Sequence, residues 1–262
     1  DHSPSMHIHV AKGMVKCFSC GAFKPLFEFL LDNGATFDEA IDFMFMDFEH
    51  KKNNPDGMKE WVLGRKIPKS MIDRGYTIDT LQHFGVGYDD IEGHITIPLK
   101  YNGVLYGIQY RRYPKDFWTS DGFVKDNFIY NFEPTEERIY TEGFTDTWRI
   151  WQNGSENVSA LLTAYPSDGQ LSIMAKHRKI TLALDNDFAG MKGAFKIHKE
   201  LGRDVDINMA IFRGKDAGDL SQTDWTNSIN NTVTFTEFEV QMIARNEKLY
   251  EQLKKSVYGN NY

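Results

Sequence analysis

The period of the apolar positions changes along the chain. Short alternating stretches, His7-Ile8-His9-Val10 and Met14-Val15-Lys16, predict hairpin strands ahead of Cys17-Phe18-Ser19-Cys20-Gly21. Helical spacing follows in two runs, 26–31 and 37–48, broken at Asn33-Gly34. Thr36 and Glu39 have the residue types and spacing of a capping box opening the second run. The polar, turn-rich segment 49–57 predicts a linker. Beyond it, 69–84 reads as mostly helix, and 94–110 carries two β-rich runs joined at Asn102-Gly103, a hairpin signal. From Glu137 onward strands and helices alternate. Strands are predicted over 138–141, 158–164, 180–184 and 205–212, and helices over 146–152, 169–176 and 188–201. That alternation predicts an α/β fold whose parallel sheet is flanked by helices. A closing helix over 236–257, rich in Glu and Lys, precedes a frayed tail, and no internal repeat is found.

Composition narrows the class. The chain has 262 residues, 41% hydrophobic and 26% charged, which excludes collagen-like, low-complexity and disordered readings. No apolar run approaches the roughly 18 residues of a membrane span, and Asp1-His2-Ser3-Pro4 lacks a secretory pattern. Two cysteines cannot staple a chain of this length. A net charge of -7 argues against an overall basic coat, while leaving room for a local basic groove. No G-x-x-x-x-G-K-[ST], G-x-S-x-G or H-E-x-x-H pattern occurs, so a fused P-loop motor, a serine hydrolase of that type and a zincin are set aside.

Ligands of open parallel sheets sit beyond the carboxyl ends of the strands, and three acidic clusters fall at such ends. Glu142-Gly143-Phe144-Thr145-Asp146 follows the strand at 138–141, and Asp185-Asn186-Asp187-Phe188-Ala189-Gly190 follows that at 180–184. Asp216-Ala217-Gly218-Asp219 comes shortly after 205–212. Singly, each cluster is also what ordinary turns and N-caps look like. Together they predict convergence of Glu142, Asp185, Asp187 and Asp216. Crowded carboxylates repel one another, and hard divalent cations relieve that repulsion through oxygen ligands.

These three clusters resemble the motifs of a TOPRIM domain, the fold shared by bacterial and phage primases, topoisomerases and some nucleases. The resemblance to DnaG-type DNA primases extends upstream. The segment from Arg74-Gly75-Tyr76 to Gly87-Tyr88 resembles the helix-and-turn opening of the primase polymerase core. Ile97-Pro98-Leu99, with Tyr106-Gly107-Ile108-Gln109-Tyr110-Arg111-Arg112, resembles its sheet. Pro114-Lys115-Asp116-Phe117-Trp118-Thr119 and Phe128-Ile129-Tyr130 resemble the basic stretch before the TOPRIM part.

That family implies RNA primer synthesis from NTPs on single-stranded DNA, with a replicative helicase as partner and no membrane. The setting would be the cytoplasm of a bacterial cell or phage-infected host. It implies catalytic roles for Glu142, Asp185 and Asp187, and binding of two or more Mg²⁺ or Mn²⁺ ions by these with Asp216 and Asp219. The rival readings are a TOPRIM nuclease and a non-catalytic nucleic-acid-binding module. Five expected segments follow: a partial zinc-ribbon domain with trailing helices (1–50), a linker (51–58), the N-terminal subdomain of the primase core (59–134), the TOPRIM domain (135–221) and a C-terminal helical segment (222–262).

Residues 100–125 hold Lys100, Arg111, Arg112, Lys115 and Lys125 against Asp116 and Asp121, a local charge of +3 interleaved with Tyr110, Tyr113, Phe117 and Trp118. Cations with flat rings suit a single-stranded template or an NTP; a solvated hairpin with aromatic feet in the core has the same composition. With the primase resemblance, Arg111, Arg112, Lys115 and Lys125 become template or NTP binders. Cys17 and Cys20 form half a set of zinc ligands, and two buried thiols or a redox pair also fit C-x-x-C. The resemblance makes them Zn²⁺ ligands of an incomplete site. The expectation is that the missing pair lies before Asp1, with His7 or His9 as the alternative ligand.

Overall fold

The computed structural model describes residues 6–9, 14–17, 21, 23–36, 39–40, 66–101, 104–112, 116–120 and 123–259. The chain divides into two compact units, Asp1–Ser70 with Gln82–Asn127, and Met71–Leu81 with Phe128–Tyr262.

In the first unit, β1 (Met6–His9), β2 (Met14–Cys17) and β3 (Phe23–Pro25) form an antiparallel sheet in that order. Helix α1 (Leu26–Asp32) ends at Asn33, and Gly34 adopts φ +89°, so the predicted break falls where a residue without Cβ permits it. The expected capping box is made: Glu39 N–H donates to Thr36 Oγ1 (3.3 Å) and Thr36 N–H to Glu39 Oε2 (2.8 Å). The helix predicted beyond it and the linker lie outside the described residues.

Strands β4 (Gly87–Asp89), β5 (His94–Tyr101), β6 (Val104–Arg112) and β7 (Asp116–Thr119) make a second antiparallel sheet, followed by a 3₁₀ turn at Lys125–Asn127. Central β5 is buried on both faces, through Ile95, Ile97 and Leu99 on one and His94 and Thr96 on the other. Strands β5 and β6 pair as expected up to Tyr101 opposite Val104, while Asn102-Gly103 lies outside the described residues.

The second unit begins with residues 71–81, which the sequence grouped with the upstream subdomain. Helices α2 (Lys69–Asp73) and α3 (Ile78–His83) replace the single helical run. Between them Gly75 turns at φ +83°. Buried Tyr76 packs edge-on against Trp148 (5.8 Å between centroids), and Thr77 N–H donates to Gln152 Oε1 (2.8 Å). These contacts tie the segment to the second unit.

The main sheet there has the order β12-β11-β10-β8-β9. Strands β8 (Glu137–Thr141), β9 (Val158–Ala160), β10 (Lys179–Leu182) and β11 (Asp206–Met209) are parallel, as predicted, with β10 between β8 and β11. The connecting helices are α4 (Phe144–Gln152), α5 (Asp168–Met174) and α6 (Phe188–Leu201). Strand β9 is shorter than the predicted 158–164, because Leu162 turns the chain at φ +58°. Helix α7 (Gln222–Asn230), which buries Trp225, falls in the predicted helical segment 222–262 but was not expected as a separate helix, and β12 (Val233–Thr234), antiparallel to β11, had not been predicted. Helix α8 (Phe235–Tyr258) opens on a Thr234–Glu237 capping box and kinks at Asn246, whose backbone leaves helical φ/ψ. Among the described residues no helix is long and apolar enough to cross a membrane.

Candidate active site

The register of β8 and β10 brings their carboxyl ends side by side, with Leu182 opposite Tyr140. Glu142 therefore faces the turn that carries Asp185, and its Oε1 accepts the Asp185 backbone N–H at 3.1 Å. Gly190, in the first turn of α6, makes this approach possible: a Cβ there would collide with Asp185 O and Glu142 Oε1. Asp187 is the N-cap of α6, its Oδ1 accepting from Ala189 N (3.0 Å) and Gly190 N (3.1 Å). Asn186 ties this turn to the next cluster, donating through Nδ2 to Phe212 O (3.1 Å) and Gly214 O (2.9 Å). Asp216 caps the 3₁₀ turn Ala217–Asp219, accepting from Gly218 N at 3.2 Å.

Asp146, one helical turn beyond Glu142, joins this set and had not been assigned a ligand role. It is only 6% exposed, and its Oδ2 accepts Gly143 N–H at 3.1 Å. The Gly218 main chain lies between it and Asp216: a Cβ at Gly218 would stand 2.9 Å from Asp146 Oδ1 and 3.3 Å from Asp216 Oδ1. Its place in the first acidic cluster, Glu142 to Asp146, was the available signal.

The charges of these groups bear on one another. Burial first, then Asp185, raises the Glu142 carboxyl to about 7. Burial, then Asp185 and Asp216, raises Asp146 to about 7. Burial, then Asp216 and Asp187, raises Asp185 to about 6, with Lys215 opposing. Asp219 is exposed, and its charge is felt at the Tyr76 hydroxyl; it is not among the charges that raise Glu142, Asp146 or Asp185. The structure thus brings Glu142, Asp185, Asp187 and Asp216 to one sheet edge, with Asp219 at its margin.

Among the described residues, no three His, Cys, Asp or Glu side chains stand close enough to enclose an ion. The donor set nevertheless fits a hard divalent cation. Every donor is a carboxylate oxygen, and the raised acids show uncompensated negative charge.

Arg149 braces the edge from α4. Its guanidinium donates to Gly218 O (Nε, 2.8 Å), Gly75 O (Nη1, 3.0 Å) and Arg74 O (Nη2, 2.8 Å), and lies 4.5 Å from the Tyr76 ring centroid.

The basic candidates belong to the first unit. Arg111 lies on β6 opposite Phe117, which is 68% exposed. Arg112 donates to Glu92 O (2.7 Å) and lies over the Trp118 ring, which stacks on Tyr110. Lys125 sits on the 3₁₀ turn, and Lys115 lies outside the described residues. Cys17 ends β2, and Gly21 N–H donates to its carbonyl at 3.0 Å. Cys20 and the side chains of His7 and His9 lie outside the described residues.

Residues 138–210 match the Toprim domain family. The chain is 22% identical to the DNA primase of Campylobacter jejuni over 97% of its own length and 55% of that protein's. It spans just over half the length of the curated relatives it matches. Its structure resembles the zinc-binding and RNA polymerase domains of the Aquifex aeolicus primase, with a TM-score of 0.60, 19% identity and coverage of 99% of this chain and 83% of that one. It also resembles a DnaG primase catalytic domain bound to ssDNA (TM-score 0.57, 13% identity, 77% and 92% covered). The fold is that of the DnaG-type primase core, and the Toprim match contains Glu142, Asp146, Asp185 and Asp187, with Asp216 just beyond it.

Proposed function

We propose that this chain is the catalytic part of a DNA-dependent RNA primase, joining NTPs on a single-stranded DNA template in the cytoplasm. The observation that carries this reading is the convergence of Glu142, Asp146, Asp185, Asp187 and Asp216 at the carboxyl edge of the parallel sheet. The neighbour bound to ssDNA supports the choice of template. Glu142, Asp185, Asp187 and Asp216, with Asp219 at the margin, would hold Mg²⁺ or Mn²⁺. When bound, such ions polarise the phosphoryl oxygen and balance charge on the departing pyrophosphate. Glu142 is assigned the proton of the attacking 3′-hydroxyl. Arg111, Arg112, Lys115 and Lys125 are assigned to phosphates of the template or NTP. Cys17 and Cys20 are assigned to zinc, supported by the C-x-x-C spacing and the Gly21 N–H to Cys17 O hydrogen bond. A replicative helicase is the proposed partner.

The test incubates the chain with labelled NTPs, Mg²⁺ and single-stranded DNA. Short RNA is expected, lost in both Asp185→Asn and Asp187→Asn while their circular dichroism is unchanged. Cleaved DNA without RNA would favour the nuclease reading, and binding without either product the non-catalytic one. Full synthesis by both variants would overturn the carboxylate assignment.

A further inference from the structure

The loop after β9 shares the edge with Glu142 and has no part in the chemistry assigned so far. Leu161 N–H donates to Thr141 O (3.0 Å), so the loop starts beside the residue that precedes Glu142. Leu162 then takes φ +58°, a conformation that costs a branched side chain energy and is retained where the surroundings impose it. The α6 helix imposes it here. A Cβ at Gly193 would collide with Ala164 O, as one at Gly190 would with Glu142 Oε1. Gly190 and Gly193 lie three residues apart on one helix face, so loop and carboxylate are seated within about 5 Å along its axis.

This seating presents Tyr165, which is 43% exposed although two ammonium groups contact its ring: Lys196 Nζ at 4.7 Å and Lys192 Nζ at 5.1 Å from the centroid. Lys196 spends its charge on the loop, donating to Pro166 O (2.8 Å) and pairing with Asp168 Oδ1 (3.2 Å). Lys192 has no carboxylate partner among the described residues. An exposed flat ring with an uncompensated ammonium is the pairing that takes a nucleobase and its phosphate together.

We infer that Tyr165 and Lys192 form a nucleotide contact on the flank of the carboxylate edge, the ring stacking on a base and the ammonium meeting a phosphate. The inference rests on the nucleotidyl-transfer reading and gives this site its ligand class. The nucleotide comes either from the single strand or from the pool of free NTPs.

The test uses the full chain in chelator, so that metal binding plays no part. A fluorescently labelled oligodeoxynucleotide is followed by anisotropy, and a fluorescent NTP analogue in parallel. Tyr165→Ala is expected to weaken binding roughly 5-fold or more, with Tyr165→Phe restoring it. Lys192→Glu is expected to weaken binding and, if the strand is the source, to flatten its salt slope by about 0.7. Lys248→Glu, on the exposed face of α8, controls for net charge. Loss confined to the oligonucleotide supports the strand as source, and loss confined to the NTP supports the free nucleotide. Parent-like binding of both ligands by Tyr165→Ala, or equal effects of the two lysine reversals, overturns the inference while leaving the primase reading intact. Failure of the unaltered chain to bind either ligand overturns the inference, whereas the primase reading stands or falls on the RNA-synthesis assay with Mg²⁺.

Discussion

At the scale of single residues, Asp146 concentrates the electrostatics of the edge. Its carboxyl is raised to about 7, first by burial and then by Asp185 and Asp216, against about 3.8 in an unfolded chain. Between those values the folded protein holds a proton that the unfolded chain has released. The stability contributed by this group is therefore fully present below about pH 4 and is lost as pH rises toward 7. Without metal, Asp146→Asn should thus gain stability relative to the parent on going from pH 5 to pH 8. The amide keeps an oxygen to accept Gly143 N–H, and the gain should be of order 2–4 kcal/mol. Urea denaturation in chelator at both pH values measures it; an advantage that does not grow with pH would show that the group is not buried as a charge. The sequence grouped Asp146 with the first acidic cluster but left it out of the converging set, because at the start of the helix predicted over 146–152 an acid is also an ordinary first-turn residue. Only the Gly218 main chain, brought alongside it by the fold, sets this capping acid against Asp216.

At the scale of elements, Arg149 joins α4 to two segments distant in sequence, the turn at residues 74–75 and the 3₁₀ turn below Asp216. Removing its side chain leaves three carbonyls without their donor. Arg149→Ala should cost about 2 kcal/mol in stability and, by releasing Gly218, weaken Mn²⁺ binding to the folded protein several-fold. Titration followed by Mn²⁺ electron paramagnetic resonance separates these effects: lower stability with unchanged affinity would confine Arg149 to a structural role. Alternating strand and helix patterns announced β8 to β11 and their helices, since each buries an apolar set with its own period. Helix α7 escaped notice as a separate helix because it buries only Trp225 and Ser228, and β12 because two residues carry no period. The order β10-β8-β9 was not legible either. Adjacent strands differ in their partners rather than in their patterns, so only the acidic residues at their ends hinted at which of them met.

At the scale of the whole molecule, the basic candidates around β6 and the candidate carboxylates fall in different compact units. Arg111, Arg112 and Lys125 belong to the first unit, whereas Glu142, Asp146, Asp185, Asp187 and Asp216 belong to the second. A divalent cation that binds only the folded carboxylate edge stabilises whatever unfolds with that edge, by about 2.7 kcal/mol at a hundredfold excess over Kd. Two compact units need not open together. Saturating Mn²⁺ should accordingly slow amide hydrogen exchange in β8 and β10 and around Trp148 and Trp225, both fully buried in the second unit. Exchange in β5 and β6 should keep its metal-free rate. Asp185→Asn should abolish the metal-induced protection, because it removes a charge that acts on both Glu142 and Asp146. Mass spectrometry of peptides from the two sheets reads this directly. Equal slowing in both units would mean that they unfold as one cooperative body, whereas no slowing in either would remove divalent-ion binding from the carboxylate edge.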